Sequence, residues 1–191
     1  MSITLYGSLT SPYVRRIRML LEGIDYEFND TNVYDDAQRV AFSAISPLRK
    51  LPVLTDGDTP IFDSHVIAEH IRKKRDWTET SIDQHNVISA IDAVTDSLII
   101  VFMARRSGID VSEEKLLFKL QFERLPILLN WLNEQAKTGM FNDWNLVSIA
   151  LIAMINWVSF RELYDLSDYP DLVSAANQYN DKEIVKSTLP E

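Results

Sequence analysis

Residues 3–21, Ile3-Thr4-Leu5-Tyr6-Gly7-Ser8-Leu9-Thr10-Ser11-Pro12-Tyr13-Val14-Arg15-Arg16-Ile17-Arg18-Met19-Leu20-Leu21, change their apolar period part-way along. Ile3 to Tyr6 reads as a strand. After Ser11-Pro12, the residues Val14, Ile17, Leu20 and Leu21 recur at the spacing of one helix face. Further along, Tyr26-Glu27-Phe28 alternates like a second strand. Leu51-Pro52-Val53-Leu54 and Ile61-Phe62 are short apolar runs separated by Asp56-Gly57-Asp58, turn chemistry that joins antiparallel strands. Val66, Ile67, His70 and Ile71 then fit one helix face. The order β-α-β followed by β-β-α predicts a small mixed sheet covered by helices.

From about residue 85 the strand signals stop. Val87, Ile91, Val94 and Leu98, and later Leu117, Leu120, Leu125, Leu128, Leu129 and Leu132, recur at three and four. This half reads as all helical. The polar, aperiodic Asp76-Trp77-Thr78-Glu79-Thr80-Ser81 is the natural linker. The expected organisation is therefore an α/β domain over residues 1–75 and an all-α helical domain over residues 85–191.

Composition narrows the functions. The chain has 191 residues, 46% of them hydrophobic, enough for one compact domain or two small ones. With no cysteine it has no disulfide, thiolate metal site or cysteine nucleophile, so any thiol chemistry has to come from a ligand. A formal net charge of -9 opposes binding to nucleic acid or an anionic membrane, both of which begin with phosphate neutralisation. His65 and His70 splay apart on a helix, which argues against a metal site. No apolar run is read as reaching the roughly 18 residues of a membrane span, the longest being Leu146 to Phe160. The N-terminus lacks the order of a secretory signal, and a cytoplasmic location is expected.

Three short motifs carry chemistry, and each also has an ordinary structural role. Ser11 can cap the helix that Pro12 opens, yet free N–H groups and partial positive charge at a helix start also stabilise an anion such as a thiolate. Pro52 opens an apolar run and reads as an edge-strand proline, beside which the backbone of Leu51 is free to pair with a ligand. Asp63-Ser64 precedes a helix, with Ser64 the expected cap. The same groups suit an α-amino acid head, N–H and hydroxyl for its carboxylate and Asp63 for its ammonium. Together the three describe one ligand with a thiol, a peptide backbone and a free amino-acid head.

Tyr6-Gly7-Ser8-Leu9-Thr10-Ser11-Pro12-Tyr13-Val14-Arg15, then Lys50-Leu51-Pro52-Val53-Leu54, then Ile61-Phe62-Asp63-Ser64 resembles the thioredoxin-like domain of the glutathione-transferase superfamily. Phe141-Asn142-Asp143-Trp144-Asn145-Leu146-Val147-Ser148-Ile149-Ala150 is similar to the family's helical half. The resemblance implies a glutathione-dependent enzyme acting on a small electrophile by conjugation or peroxidase chemistry, and a two-fold homodimer. It assigns thiolate donation to Ser11, or to Thr10 if the alignment shifts by one. Leu51 before Pro52 would pair with the cysteinyl backbone, Asp63 and Ser64 would hold the γ-glutamyl head, and Lys50 would meet the glycyl carboxylate. The electrophile would lie near Phe102, Arg105 and Arg106. Non-catalytic relatives of the stringent-starvation type make an interaction protein the alternative.

Two departures stand out. Ser46-Pro47-Leu48-Arg49-Lys50 replaces the frequent Asn-Pro-x-Gly-Lys, and Asn145 with Ser148 replaces the usual Ser or Thr with Asp, which predicts a cap weaker by about 1 kcal/mol.

Overall fold

A computed structural model describes residues 2–190. Contacts divide them into two compact units. Thr80–Asn180 forms one, and the chain before it together with the segment from Asp181 onward forms the other.

The first unit contains β1 (Ile3–Gly7), α1 (Pro12–Leu20), β2 (Glu27–Asp30), α2 (Asp36–Ser43), β3 (Val53–Asp56), β4 (Thr59–Phe62) and α3 (Ser64–Lys74). The sheet order is β2-β1-β3-β4. β1 runs parallel to β2 and antiparallel to β3, and β3 pairs antiparallel with β4. This is the small mixed sheet that the alternation of strand and helix signals predicts, in the arrangement that the resemblance to a thioredoxin-like domain implies. Gly57, with φ of 59°, is the first of two residues joining β3 to β4, the turn position that favours glycine in tight hairpins. α2 has no counterpart in the periodicity reading. Asp35 caps it by accepting from the Gln38 N–H at 2.9 Å, and it buries only Phe42.

One face of β1 packs on α1. Ile3 and Leu5 are buried there, and a Cβ at Gly7 would lie 2.3 Å from Val14 Cγ1, itself fully buried. Gly7→Ala is therefore expected to destabilise the chain by about 1–3 kcal/mol through overpacking, read as a lowered midpoint in urea at unchanged slope.

At the hairpin end of the sheet, Asp56 accepts from Lys74 Nζ at 2.6 Å and His70 Nε2 at 2.8 Å, tying β3 to α3. The Lys74 bond first, then the His70 bond, holds the Asp56 carboxyl below its ordinary 3.8. Because the folded-state value is depressed, this stabilisation is complete above the unfolded value and disappears as pH falls through the folded one. Asp56→Asn should flatten the loss of stability below about pH 4 in acid-unfolding curves.

α8 (Glu183–Ser187) also belongs to the first unit, although it falls within the 85–191 span read as one helical domain. Arg15 Nη2 donates to the Val185 carbonyl at 3.1 Å and Arg18 Nη2 to that of Ser187 at 3.4 Å. Burial, and secondarily Arg18, lowers the Arg15 pKa to about 10, which leaves it charged at neutral pH.

The second unit is helical: α4 (Ile82–Arg106), α5 (Leu116–Lys137), α6 (Leu146–Phe160) and α7 (Pro170–Asn177). α6 is buried on every side except at Asn156, Ser159 and Phe160, as expected of a helix apolar all round. Its cap corrects the expectation of a weak one. Asn145 Oδ1 accepts from the N–H groups of Val147 (2.9 Å) and Ser148 (3.3 Å), while Ser148 Oγ accepts from the Asn145 N–H at 3.1 Å. The box is reciprocal, with serine in the place of aspartate. α4 corrects the reading of apolar runs: an 18-residue window in it reaches a mean hydropathy of 2.0, so by length and composition it is long and apolar enough to cross a membrane. Half of that window is buried, with Val87, Ile91, Val94, Leu98 and Val101 in the core beside α5 and α6.

Candidate functional site

The sheet register brings the three motifs to one end of the first unit. Tyr6 pairs with Val53, and Val53 with Phe62. The end of β1, the start of β3 and the end of β4 therefore share one edge of the sheet, and the loops that continue from them carry Ser8–Ser11, Lys50–Pro52 and Asp63–Ser64. α1 and α3 both start at this end and pack against each other, so the positive ends of both helix dipoles lie there.

Ser11 caps α1, its Oγ accepting from the Val14 N–H at 3.3 Å. The cap uses the oxygen and leaves the hydroxyl proton, which meets no described residue. Ser11 N–H donates to the Ser8 carbonyl at 3.0 Å, closing a tight turn before the helix. Thr10 Oγ1 lies 3.3 Å from Ser8 Oγ, so one of these two hydroxyls is spent on the other.

The Leu51-Pro52 peptide is cis. The expectation of an edge strand is corrected: β3 lies between β1 and β4, and the outer strands are β2 and β4. Pro52 precedes β3 rather than sitting in it, so its missing N–H costs the ladder nothing. Leu51 lies beyond the ladder, and its N–H and C=O have no hydrogen bond among the described residues.

The cap of α3 is also corrected. Asp63, not Ser64, is the N-cap, its Oδ1 accepting from the His65 N–H at 2.9 Å. Ser64 is the first helical residue and is buried, yet its hydroxyl has no partner among the described residues. Asp63 is exposed and holds φ of 77°, a conformation that costs a residue with a Cβ about 1–3 kcal/mol. That strain sits beside the unsatisfied Ser64 hydroxyl.

Lys50 is exposed and has no ion pair among the described residues. Arg49 stands where the family pattern has glycine and adopts φ of 51°, so the loop keeps a glycine-like backbone despite the substitution. Arg49 is a second exposed cation that the motif reading passed over. Thr31 was missed too. It is buried, and its N–H donates to the Gly7 carbonyl at 2.8 Å, extending the β1–β2 pairing beneath the Ser8–Ser11 turn. Nothing in the apolar period marks it.

In the helical unit, Phe102 packs edge-on against Trp157, the ring centroids 6.2 Å apart. Arg161 lies over both Phe102 (5.1 Å) and Phe160 (4.7 Å). Arg105 and Arg106 are exposed in the last turn of α4, where cations complement the helix dipole. The described residues contain no group of three or more His, Cys, Asp or Glu able to hold a metal.

Comparison with known proteins agrees with this architecture. Residues 5–79 match the glutathione S-transferase N-terminal domain family. Over 97% of this chain and 98% of the other, the sequence is 31% identical to a protein of Escherichia coli described as the uncharacterized GST-like protein YibF. It is 25% identical to glutathione S-transferase Z1 of Arabidopsis thaliana over 99% of this chain and 92% of the other. A glutathione S-transferase of Methylobacillus flagellatus, solved with glutathione bound, superposes with a TM-score of 0.87 at 23% identity over the whole of both chains. The chain belongs to the glutathione S-transferase superfamily. Its fold is the family's, a thioredoxin-like domain followed by a helical domain.

Proposed function

We propose that this chain binds glutathione at the common end of β1, β3 and β4 and activates its thiol for attack on a small electrophile, by conjugation or a glutathione-supported peroxidase reaction. The carrying observation is the set of groups at that end that have no partner among the described residues: the Ser11 hydroxyl proton at the start of α1, the main chain of Leu51, and the hydroxyl of Ser64 at the start of α3. Each matches one part of the tripeptide. The α1 N-terminus and Ser11 meet the thiolate, with Thr10 as the neighbouring donor. Leu51 and Pro52 present the backbone to the cysteinyl unit, while Ser64 and Asp63 take the carboxylate and ammonium of the γ-glutamyl head. Lys50 faces the glycyl carboxylate. Matching relatives are named glutathione S-transferases, and two solved neighbours hold glutathione, which supports the same ligand here.

The chain has no thiol of its own, so it forms no mixed disulfide with its substrate. The sulfur that attacks belongs to glutathione, and the protein supplies position and charge stabilisation. The functional unit of this reading is a cytoplasmic homodimer. Calorimetry with glutathione tests the reading: one site per chain is expected, and no binding at millimolar glutathione would sink it.

A further inference from the structure

At the end of α6, Arg161 is half-buried, with its guanidinium carbon 4.7 Å from the centre of the Phe160 ring and 5.1 Å from that of Phe102 on α4. Phe102 is fixed in turn by the buried Trp157. The ring faces attract the charge, but they offer no lone pairs to its N–H groups. Arg161 Nε is buried without a partner, and neither Nη has a hydrogen bond or ion pair among the described residues. Glu162, the next residue along the chain, is exposed and makes no ion pair with it. A cation taken this far out of water ordinarily has an acceptor.

We propose that Arg161, Phe160 and Phe102 form a binding site for the carboxylate of an aromatic ligand. The guanidinium fork matches a carboxylate through two parallel N–H···O bonds, and the single charges balance. A phosphate brings more charge and more acceptor oxygens than one fork satisfies. The body of the ligand is set by Phe160, whose ring is 39% exposed beside the guanidinium. A planar ring laid offset on that surface gains aromatic contact that an aliphatic acid does not. Arg105 and Arg106 follow Phe102 by three and four residues, so they lie on its side of α4 and add positive field there, within a chain of formal net charge -9. Complementing the dipole of α6 does not account for this arrangement, because a solvated lysine would do that equally well. The site goes beyond glutathione binding: all of its residues belong to the helical unit, and its occupation requires no glutathione.

Calorimetry on the full chain without glutathione compares naphthoate with naphthamide, which has the same rings and no charge. Naphthoate should bind at one site per chain, and the amide roughly tenfold or more weaker, the loss expected when a charge-assisted pair is removed. Arg161→Lys keeps the charge and loses the fork, so its affinity for naphthoate should fall by a similar factor, while its thermal midpoint and its affinity for glutathione stay near those of the unaltered chain. Phe160→Ala, at an exposed position, should weaken naphthoate severalfold. Naphthoate binding that persists even where glutathione does not bind supports the proposal on its own. No binding at millimolar naphthoate overturns it. So does equal affinity for acid and amide, or an affinity for naphthoate indifferent to Arg161→Lys, since the carboxylate would then be held elsewhere or not at all.

Discussion

Ser11→Ala is expected to raise the pKa of the bound glutathione thiol by about one to two units, the equivalent of losing one hydrogen bond to a charged group. The start of α1 remains in the variant, so the dipole and free N–H groups still favour the thiolate, and affinity should fall less than activity at neutral pH. Ser11 also caps α1 through the 3.3 Å bond from Val14, so the variant should lose about 0.5–2 kcal/mol of stability as well. The two effects separate by experiment. If Ser11 only caps the helix, stability falls and the ultraviolet titration of bound thiolate stays where it was. Thr10→Ala run alongside decides which hydroxyl donates. The Thr10 hydroxyl has a neighbour in Ser8 at 3.3 Å, whereas the proton of Ser11 has none among the described residues, so Ser11 is expected to be the one that shifts the titration.

Ser64→Ala is expected to weaken glutathione binding by about 1.5–3 kcal/mol, roughly ten- to hundredfold, because it removes a bond to the γ-glutamyl carboxylate. Since Asp63 rather than Ser64 caps α3, the substitution should leave the helix intact. Calorimetry then reads affinity without a folding correction. Unchanged affinity would place the head of the tripeptide elsewhere and leave the buried hydroxyl of Ser64 unexplained.

The sequence made the four strands, α1, α3 and the helical half legible because each buries one face, and a buried face imposes a period. It was silent on α2, whose only buried residue is Phe42 and which therefore leaves almost no periodic trace. Nor did it disclose that the segment from Asp181 onward groups with the first unit. α8 has the local character of the helical half, but the carbonyls of Val185 and Ser187 are held by Arg15 and Arg18, more than 160 residues earlier in the chain. No local pattern reports such a contact.

At the site, the residue types were legible and their geometry was not. A proline opening an apolar run suggested an edge strand, yet it stands one residue before a central one and removes no ladder bond. A serine before a helix suggested a cap, yet the aspartate ahead of it takes that role in a positive-φ conformation that sequence does not disclose. That second error matters chemically, because the misplaced cap leaves the Ser64 hydroxyl available to a ligand. The same holds for the cap of α6, where Ser148 does the work expected of aspartate.

The most direct test of the account is a crystal structure of the chain with glutathione. The sulfur is expected within hydrogen-bond reach of Ser11 Oγ at the start of α1, the cysteinyl main chain paired with Leu51, and the γ-glutamyl carboxylate on Ser64. Glutathione seated away from the shared end of β1, β3 and β4, or seated there with its sulfur remote from both Ser11 and Thr10, would contradict it.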